Sequence, residues 1–252
     1  MKINSFLIIS LVVFLVLYSL YVFYFNLNID NYSDIIVAVT FFFTLFSGFF
    51  ITRQNDRYTS IANEISNTDG DLSLLYRISG VVPSAQDKIR DALRYHYKKI
   101  LETNNWAYHI LNPSTTITRI FDAYKEVNDK NDDDADKLSH FSDASGGAFD
   151  DVQISRKKMI MLYGEKLLPL QWAIVYILGG LMVISFNFIP NHTLIVNLLK
   201  IFFGVAVLFV ILLLKQLDDL SIFGKDFNKE TANDMLRILD EKDLKEINNQ
   251  TI

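Results

Sequence analysis

Apolar residues are concentrated in long uncharged blocks instead of being spread along the chain as a soluble core requires. Charged residues are absent from the ranges 6–25, 35–52, 167–199 and 201–214. A membrane-crossing helix needs about 20 apolar residues. The turn-forming string "NFIPNHT" (187–193) divides the third block. We therefore predict four spans, at about 6–25, 35–52, 168–186 and 194–214.

A cleaved signal peptide and a soluble helical core both fit these blocks less well than membrane spans do. The stretch 6–25 exceeds the roughly 7–15 apolar residues of a cleaved signal peptide, and "YVFYFNLNID" (21–30) offers no small-residue cleavage site. Buried helices of a soluble protein would need a partner on every face of each apolar block. We therefore expect an uncleaved first span and a multi-pass protein in contact with the lipid bilayer.

The positions of Lys and Arg predict the orientation in the membrane. The short predicted loops, 26–34 and 187–193, contain neither residue type. Of the 24 Lys and Arg residues, Lys200 alone lies outside the N-terminal, central and C-terminal segments. Since basic residues are enriched on the cytoplasmic side of membrane proteins, we expect both termini and the central segment to be cytoplasmic.

The central segment has the spacing of amphipathic helices. In "SAQDKIRDALRYHYKKIL" (84–101), apolar positions recur at helical intervals, and Ser84 after Pro83 predicts the start of a helix. The range 53–64 contains neither Pro nor Gly, so we expect the second span to continue into the cytoplasm as a helix, with a break possible at 67–70. The apolar positions of the stretch from 84 are Ile89, Leu93, Tyr97, Ile100 and Leu101.

The range 128–151 is acidic and polar, and we interpret it as a solvated loop in which Asp134 and Asp136 open a short helix. Clustered carboxylates also suit calcium, so a cation site is the alternative for this range. The spacing of a calcium-binding loop, with its Gly and distal Glu, is missing. The candidate ligands of such a site are Asp132, Asp133, Asp134 and Asp136.

Composition and motifs exclude several classes of function. The chain has no Cys, and its four His residues do not fall into a zinc-binding spacing. Phosphate-binding glycine loops and serine nucleophile elbows are absent from the sequence. The net charge of −5, without a recurring basic stripe, does not favour nucleic-acid binding. We expect no enzymatic activity and no cofactor.

Two features within the predicted spans carry chemical information. Val37, Phe41 and Leu45 are spaced by four on one helix face; they either face lipid or, around a symmetry axis, form stacked apolar rings that gate by expelling water. Lys200 is the one charged residue inside a predicted span. Its side chain either extends to the headgroups or attracts anions in a pore. Both pairs of alternatives stay open at this point.

The fold class that follows is an all-α membrane protein, with four transmembrane helices in two hairpins and a cytoplasmic helical domain between them. We predict a first hairpin at 1–56 and a cytoplasmic domain at 57–166 that includes the acidic loop 128–151. The second hairpin follows at 167–216, and a cytoplasmic tail at 217–252 completes the predicted domains.

The string "FSGFFITRQNDRYTSIANEISNTDGDLSLLYR" (46–77), with "VPSAQDKIRDALRYHYKKILETNNWA" (82–107) and "LDDLSIFGKDF" (217–227), resembles the bacterial bestrophin-like domain family. Ile222 departs from it, because the family usually has Pro there. The string "TRQNDRY" (52–58) is also similar to the string that ends the second span of bestrophins, without its aromatic pair. Individual matching residues are Arg57, Glu64, Arg77, Pro83, Arg90, Leu93, Tyr97, Trp106, Pro169, Trp172 and the range 218–224.

The resemblance implies an oligomeric anion channel, a pentamer permeable to chloride, in a bacterial inner membrane. It places Val37, Phe41 and Leu45 at an apolar neck. Arg53, Arg57 and Lys200 would then raise the anion concentration at the pore mouths. The competing hypothesis is a membrane-anchored sensor or scaffold whose cytoplasmic helices bind a protein partner. A coupled transporter is disfavoured, because acidic residues are absent from the predicted spans.

Overall fold

The computed structural model describes residues 13, 16–20, 22, 32–103, 115–128, 135–190, 193–221 and 227–249. Within these ranges the structure is helical and contains no β-strand. We number the continuous α-helices α1 to α7 in chain order. They are α1 (Tyr32–Ile78), α2 (Pro83–Thr103), α3 (Thr115–Asn128), α4 (Ala135–Gly164), α5 (Pro169–Ser185), α6 (Leu194–Asp218) and α7 (Phe227–Asn249).

Helix α1 is 47 residues long and contains the whole of the second predicted span. The continuation beyond the span is confirmed, and the helix also runs through 67–70, where the sequence allowed a break. Polar side chains in this stretch are satisfied without interrupting the helix. The Thr68 hydroxyl donates a hydrogen bond of 2.8 Å to the carbonyl of Glu64, and Asp69 accepts one of 2.7 Å from the Tyr97 hydroxyl.

The later apolar blocks form α5 and α6, which are separate helices divided at the string that the sequence predicts as a turn. Pro169 is the first residue of α5, where its missing N–H leaves no helical hydrogen bond unmade. A short 3₁₀ helix, Phe186–Phe188, follows α5, and α6 begins at Leu194. Helices α1, α5 and α6 are long and apolar enough to cross a membrane.

The first predicted span, 6–25, lies mostly outside the described residues, so the count of four spans stays a prediction. The parts that are described include two buried side chains, Tyr18 and Val22. The Tyr18 hydroxyl donates to the carbonyl oxygens of Val183 and Lys200, at 3.3 Å in each case. Tyr18 therefore packs against the two helices of the later apolar pair.

The chain divides into two compact units, and α1 supplies residues to both. Unit 1 comprises 1–58 and 166–222. Its described helices leave large apolar side chains exposed, among them Leu170 at 72% and Ile195 at 70%. A water-soluble surface does not carry so many exposed apolar side chains, whereas a lipid-facing surface does. Its buried apolar cluster is formed by Phe50, Leu167, Val175 and Leu214.

Unit 2 comprises 59–165 and 223–252 and contains a conventional apolar core. The stripe predicted on α2 is confirmed, because Ile89 and Leu93 are fully buried and Tyr97 is nearly so. Residues from all five helices of the unit join this core, so the helices of unit 2 pack around one centre. Contributions from the other helices include Leu75, Ile120, Val152 and Leu239.

Two boundaries differ from those predicted. Helix α2 begins at Pro83, one residue before the expected cap, because proline's fixed φ suits the first helical position. Helix α4 begins at Ala135, so residues 135–151 are helical instead of forming the acidic loop. Ser145, Ala148 and Val152 are buried along this helix, and their packing outweighs the low helix propensity of Gly146 and Gly147.

Candidate functional site

Helix α1 presents two opposite faces in unit 1. Its buried face consists of Phe43, Ser47, Phe50, Gln54 and Arg57, spaced alternately by four and three residues. At 3.6 residues per turn, that spacing keeps one side of the helix against the rest of the unit. The predicted neck residues lie on the other side, so the chain's own packing leaves them uncovered.

The uncovered face of α1 is apolar. Val37, Phe41 and Leu45 are 68%, 61% and 53% exposed. Phe49 continues the row one turn further and is 62% exposed. Sequence spacing alone would have included Phe49 in the row, since it also follows at an interval of four. We call these four residues the α1 stripe.

The three predicted cations have different environments. Arg53 is exposed on α1. Arg57 is 4% exposed: its Nη1 donates hydrogen bonds of 2.9 Å to the side-chain oxygen of Gln54 and to the backbone carbonyl of Asp218. These contacts hold the Arg57 guanidinium inside unit 1.

The Asp218 carboxylate organises this buried site from the end of α6. Its Oδ1 accepts a hydrogen bond of 2.7 Å from the backbone N–H of Leu167, and its Oδ2 accepts one of 3.3 Å from the Trp172 indole. Oδ1 also lies 4.0 Å from Arg57 Nη1, at ion-pair distance. The carboxylate thus joins α1, the segment before α5, α5 itself and α6. The resemblance included Asp218 and Trp172, but gave neither a role.

Lys200 is 2% exposed, and its Nζ donates a hydrogen bond of 2.9 Å to the carbonyl of Ile189. A lysine that reaches the headgroups would expose its ammonium, and a lysine that lines an open pore would also do so. The described contact places the ammonium at the residues between α5 and α6, and both alternatives for Lys200 stay predictions. Asn187 and Asn197 are also buried, and the sequence did not single them out for a functional role.

The candidate cation ligands of the acidic range are only partly described. Asp132, Asp133 and Asp134 lie outside the described residues, and Asp136 is the second residue of α4. Within the described ranges, no group of three or more His, Asp or Glu side chains is arranged to hold a metal ion. The solvated and cation-binding alternatives for this range stay predictions.

A family model of the Bestrophin-like domain matches residues 32–220, about three quarters of the chain. The chain belongs to the Bestrophin-like domain family. This confirms the resemblance carried by the strings in α1, α2 and the end of α6. The match begins at the first residue of α1 and ends at Leu220, just beyond the Asp218 site.

Solved structures show the same fold. A bacterial bestrophin homologue from Klebsiella pneumoniae is 18% identical, with a TM-score of 0.65 over 93% of this chain and 97% of that one. A single-substitution variant of that homologue gives 17% identity and a TM-score of 0.67, covering 96% of this chain and 98% of the other. No curated protein matches the chain by sequence.

Family membership and the apolar helices together identify this bestrophin-like chain as a membrane protein. The fold class is confirmed as all-α and bestrophin-like within the described residues. The hairpin arrangement, the apolar neck and the roles of the three cations stay predictions, because solved structures at 17–18% sequence identity show the fold alone.

Proposed function

We propose that the chain assembles into a symmetric homo-oligomeric ion channel in which the α1 stripe lines an apolar neck. Val37, Phe41 and Leu45 form the constriction, and Phe49 extends it. Membership of the Bestrophin-like domain family supports a channel in preference to an enzyme or a scaffold. The proposed assembly is a pentamer in a bacterial inner membrane, with both termini cytoplasmic.

The observation that carries the proposal is the exposure of the α1 stripe on the side of α1 that the chain does not cover. A single copy cannot enclose a water-filled path in a bilayer, because such a path must be lined by protein on all sides. Copies arranged around an axis enclose one when each presents the same helix face. Apolar side chains on that face then form rings that gate by dewetting.

Anions, chloride in particular, are the proposed permeant ions. Arg53 is an exposed cation that follows the stripe along α1, and no acidic residue lies among the residues from Ile35 to Thr52. A positive charge at the end of a narrow path raises the local concentration of anions and repels cations. Arg57 does not contribute to this attraction, because its guanidinium is bonded inside unit 1.

Planar-bilayer recording of the purified protein tests the proposal. Wild-type protein should conduct chloride above a detergent control, and the reversal potential should follow the chloride gradient. Replacing Phe41 with Ala should change the single-channel conductance several-fold, because it widens a ring. Phe209→Ala is the matched control, since Phe209 is 55% exposed on α6. Absence of conductance in several lipids, or equal effects of both substitutions, would contradict the channel.

A further inference from the structure

Helix α1 carries charged residues beyond both ends of the α1 stripe. Asp34 lies in the first turn of the helix, and Arg53 and Asp56 follow the stripe. All three side chains are exposed. Arg57 is the remaining charged residue of α1 in the described range 32–63, and its guanidinium is bonded inside unit 1. The rest of the chain therefore leaves one cation and two carboxylates of this range uncovered.

The two carboxylates lie on the same side of α1 as the stripe. Asp34 precedes Leu45 by eleven residues, and Asp56 follows Leu45 by eleven residues. At 3.6 residues per turn, this interval is about three whole turns, so both aspartates lie on the Leu45 side of the helix. Arg53 follows Leu45 by eight residues, which places it about 80° around the helix from Leu45. The carboxylates are therefore closer to the direction of Leu45 than the guanidinium is.

The carboxylates and the guanidinium have opposite effects on ions near a narrow path. A carboxylate raises the local concentration of cations and lowers that of anions, whereas a guanidinium does the reverse. Apolar, low-dielectric walls strengthen both effects. In a symmetric assembly every subunit repeats each residue, so each charge forms a ring around the axis. At the end of the stripe next to Arg53, the charges of Arg53 and Asp56 are equal and opposite.

We propose that Asp56, together with Asp34 at the other end of the stripe, determines how strongly the channel distinguishes anions from cations. This inference rests on the proposed function, a channel with a neck lined by α1. Arg53 favours anions and the two carboxylates oppose it, so the preference for chloride is a balance of charges. Neutralising either carboxylate shifts that balance toward anions. The direction of the shift is the same whichever ion the wild type prefers.

Reversal potentials in planar bilayers, recorded under a sodium chloride gradient, give the chloride-to-sodium permeability ratio that tests the inference. Asp56→Asn should raise this ratio several-fold, and Asp56→Glu, which keeps the charge, should leave it close to the wild-type value. Arg53→Gln should lower the ratio. Asp219→Asn is the matched control, because it removes the same charge from a half-exposed ion pair with Lys166 at the end of α6. The control should leave the ratio unchanged.

The recordings separate this inference from the proposed function. Absence of current from the wild-type protein would contradict the channel, and the inference with it. A protein that conducts but has the same permeability ratio in the wild type and in Asp56→Asn would overturn the inference and leave the channel standing. An equal shift of the ratio in Asp56→Asn and Asp219→Asn would also overturn the inference, because it would show a general effect of surface charge.

Asp34 provides a second test, because it lies at the opposite end of the stripe from Asp56. Asp34→Asn should also raise the chloride-to-sodium permeability ratio. A charge at one mouth of a pore changes mainly the supply of ions from that side. Asp34→Asn and Asp56→Asn should therefore change the rectification of the chloride current in opposite directions. A change in the same direction, or an unchanged ratio in Asp34→Asn, would overturn the shared role of the two aspartates.

Discussion

Arg57 and Asp218 are 161 residues apart in sequence and are joined by a buried hydrogen bond of 2.9 Å, from the guanidinium to the backbone carbonyl. The Asp218 carboxylate lies 4.0 Å from the same nitrogen, and the two side chains are 2% and 7% exposed. This pair joins the end of α6 to α1, the helix that carries the α1 stripe. The proposed neck is therefore held by a helix whose position depends on a buried charge pair.

Replacing Asp218 with Asn should destabilise the protein by about 3–5 kcal/mol, because it removes the carboxylate charge that lies beside the buried Arg57 guanidinium. The same change at the neighbouring Asp219 should cost at most about 1 kcal/mol, since its ion pair with Lys166 is half exposed at 3.9 Å. Thermal unfolding of the two variants measures the contrast. Equal losses of stability in the two variants would show that the buried charge pair contributes no more to stability than the surface ion pair does.

The pH dependence of stability should depend on Asp69 in unit 2. Burial raises the pKa of its carboxyl from 3.8 to about 6, although hydrogen bonds from Tyr97 and Thr231 oppose the rise. A raised folded-state pKa means that the protonated form is favoured in the native state. The contribution of Asp69 to stability is therefore full below pH 3.8 and is lost as the pH rises through about 6.

Asp69→Asn should raise the Tm more at pH 7.5 than at pH 5, by the equivalent of about 1 kcal/mol, because Asn removes the buried charge and keeps the oxygen that accepts from Tyr97. Asp91→Asn, on the exposed face of α2, is the control and should show no such difference. Parallel pH profiles of wild type and Asp69→Asn would contradict this assignment.

Gly204 on α6 should not tolerate a larger residue. A Cβ built at this position would collide with the ring of Tyr18, whereas one at Gly180 on α5 meets nothing within 4 Å. We expect Gly204→Ala to lower the Tm by the equivalent of about 1–3 kcal/mol through overpacking. Gly180→Ala should be neutral or slightly stabilising, because Ala favours a helix more than Gly does. A neutral Gly204→Ala would show that the ring of Tyr18 does not pack against Gly204.

Leu220 adopts a left-handed conformation, with φ of 54°, directly after the Asp218 site. Its N–H bonds the carbonyl of Leu217, and the N–H of Ser221 bonds that of Gln216, which together close the end of α6. Glycine usually occupies this position, and Leu is retained here with its side chain buried.

Comparing Leu220→Ala with Leu220→Gly separates the backbone strain from the buried side chain. Both variants lose the buried leucine and should be less stable than the wild type. The Gly variant should be more stable than the Ala variant by about 1 kcal/mol, because glycine adopts positive φ without steric cost. Thermal or denaturant unfolding measures the difference in stability between the two variants. An Ala variant as stable as the Gly variant would contradict the backbone strain at Leu220.

Much of the architecture was predictable because it follows from local patterns. The uncharged block at 35–52 and the absence of Pro directly after it determine most of α1, and "NFIPNHT" determines the break between α5 and α6. The helix through Gly146 and Gly147 was not predictable, because buried contacts of Ala148 and Val152 with other helices decide it. The low helix propensity of glycine would predict a break in the helix at these two residues.

The buried sites were harder to predict than the helices. Arg57 and Arg53 both follow the second predicted span, and the burial of Arg57 and its distant contact with Asp218 distinguish it from the exposed Arg53. Lys200 was conspicuous as a charge in a span, but its burial and its hydrogen bond to the carbonyl of Ile189 depend on contacts across the break between α5 and α6. In both cases the decisive partner is far away or across a turn, where sequence spacing carries no information.

The central claim, that the α1 stripe faces the axis of a symmetric pore, can be tested with a thiol because the chain has no native cysteine. Phe41→Cys would carry the only reactive sulfur in each subunit, and so would the control Phe209→Cys. A charged, water-soluble thiol reagent should block chloride current through the Phe41→Cys channel and leave Phe209→Cys unaffected. Block of both variants alike, or of neither, would contradict a neck lined by α1.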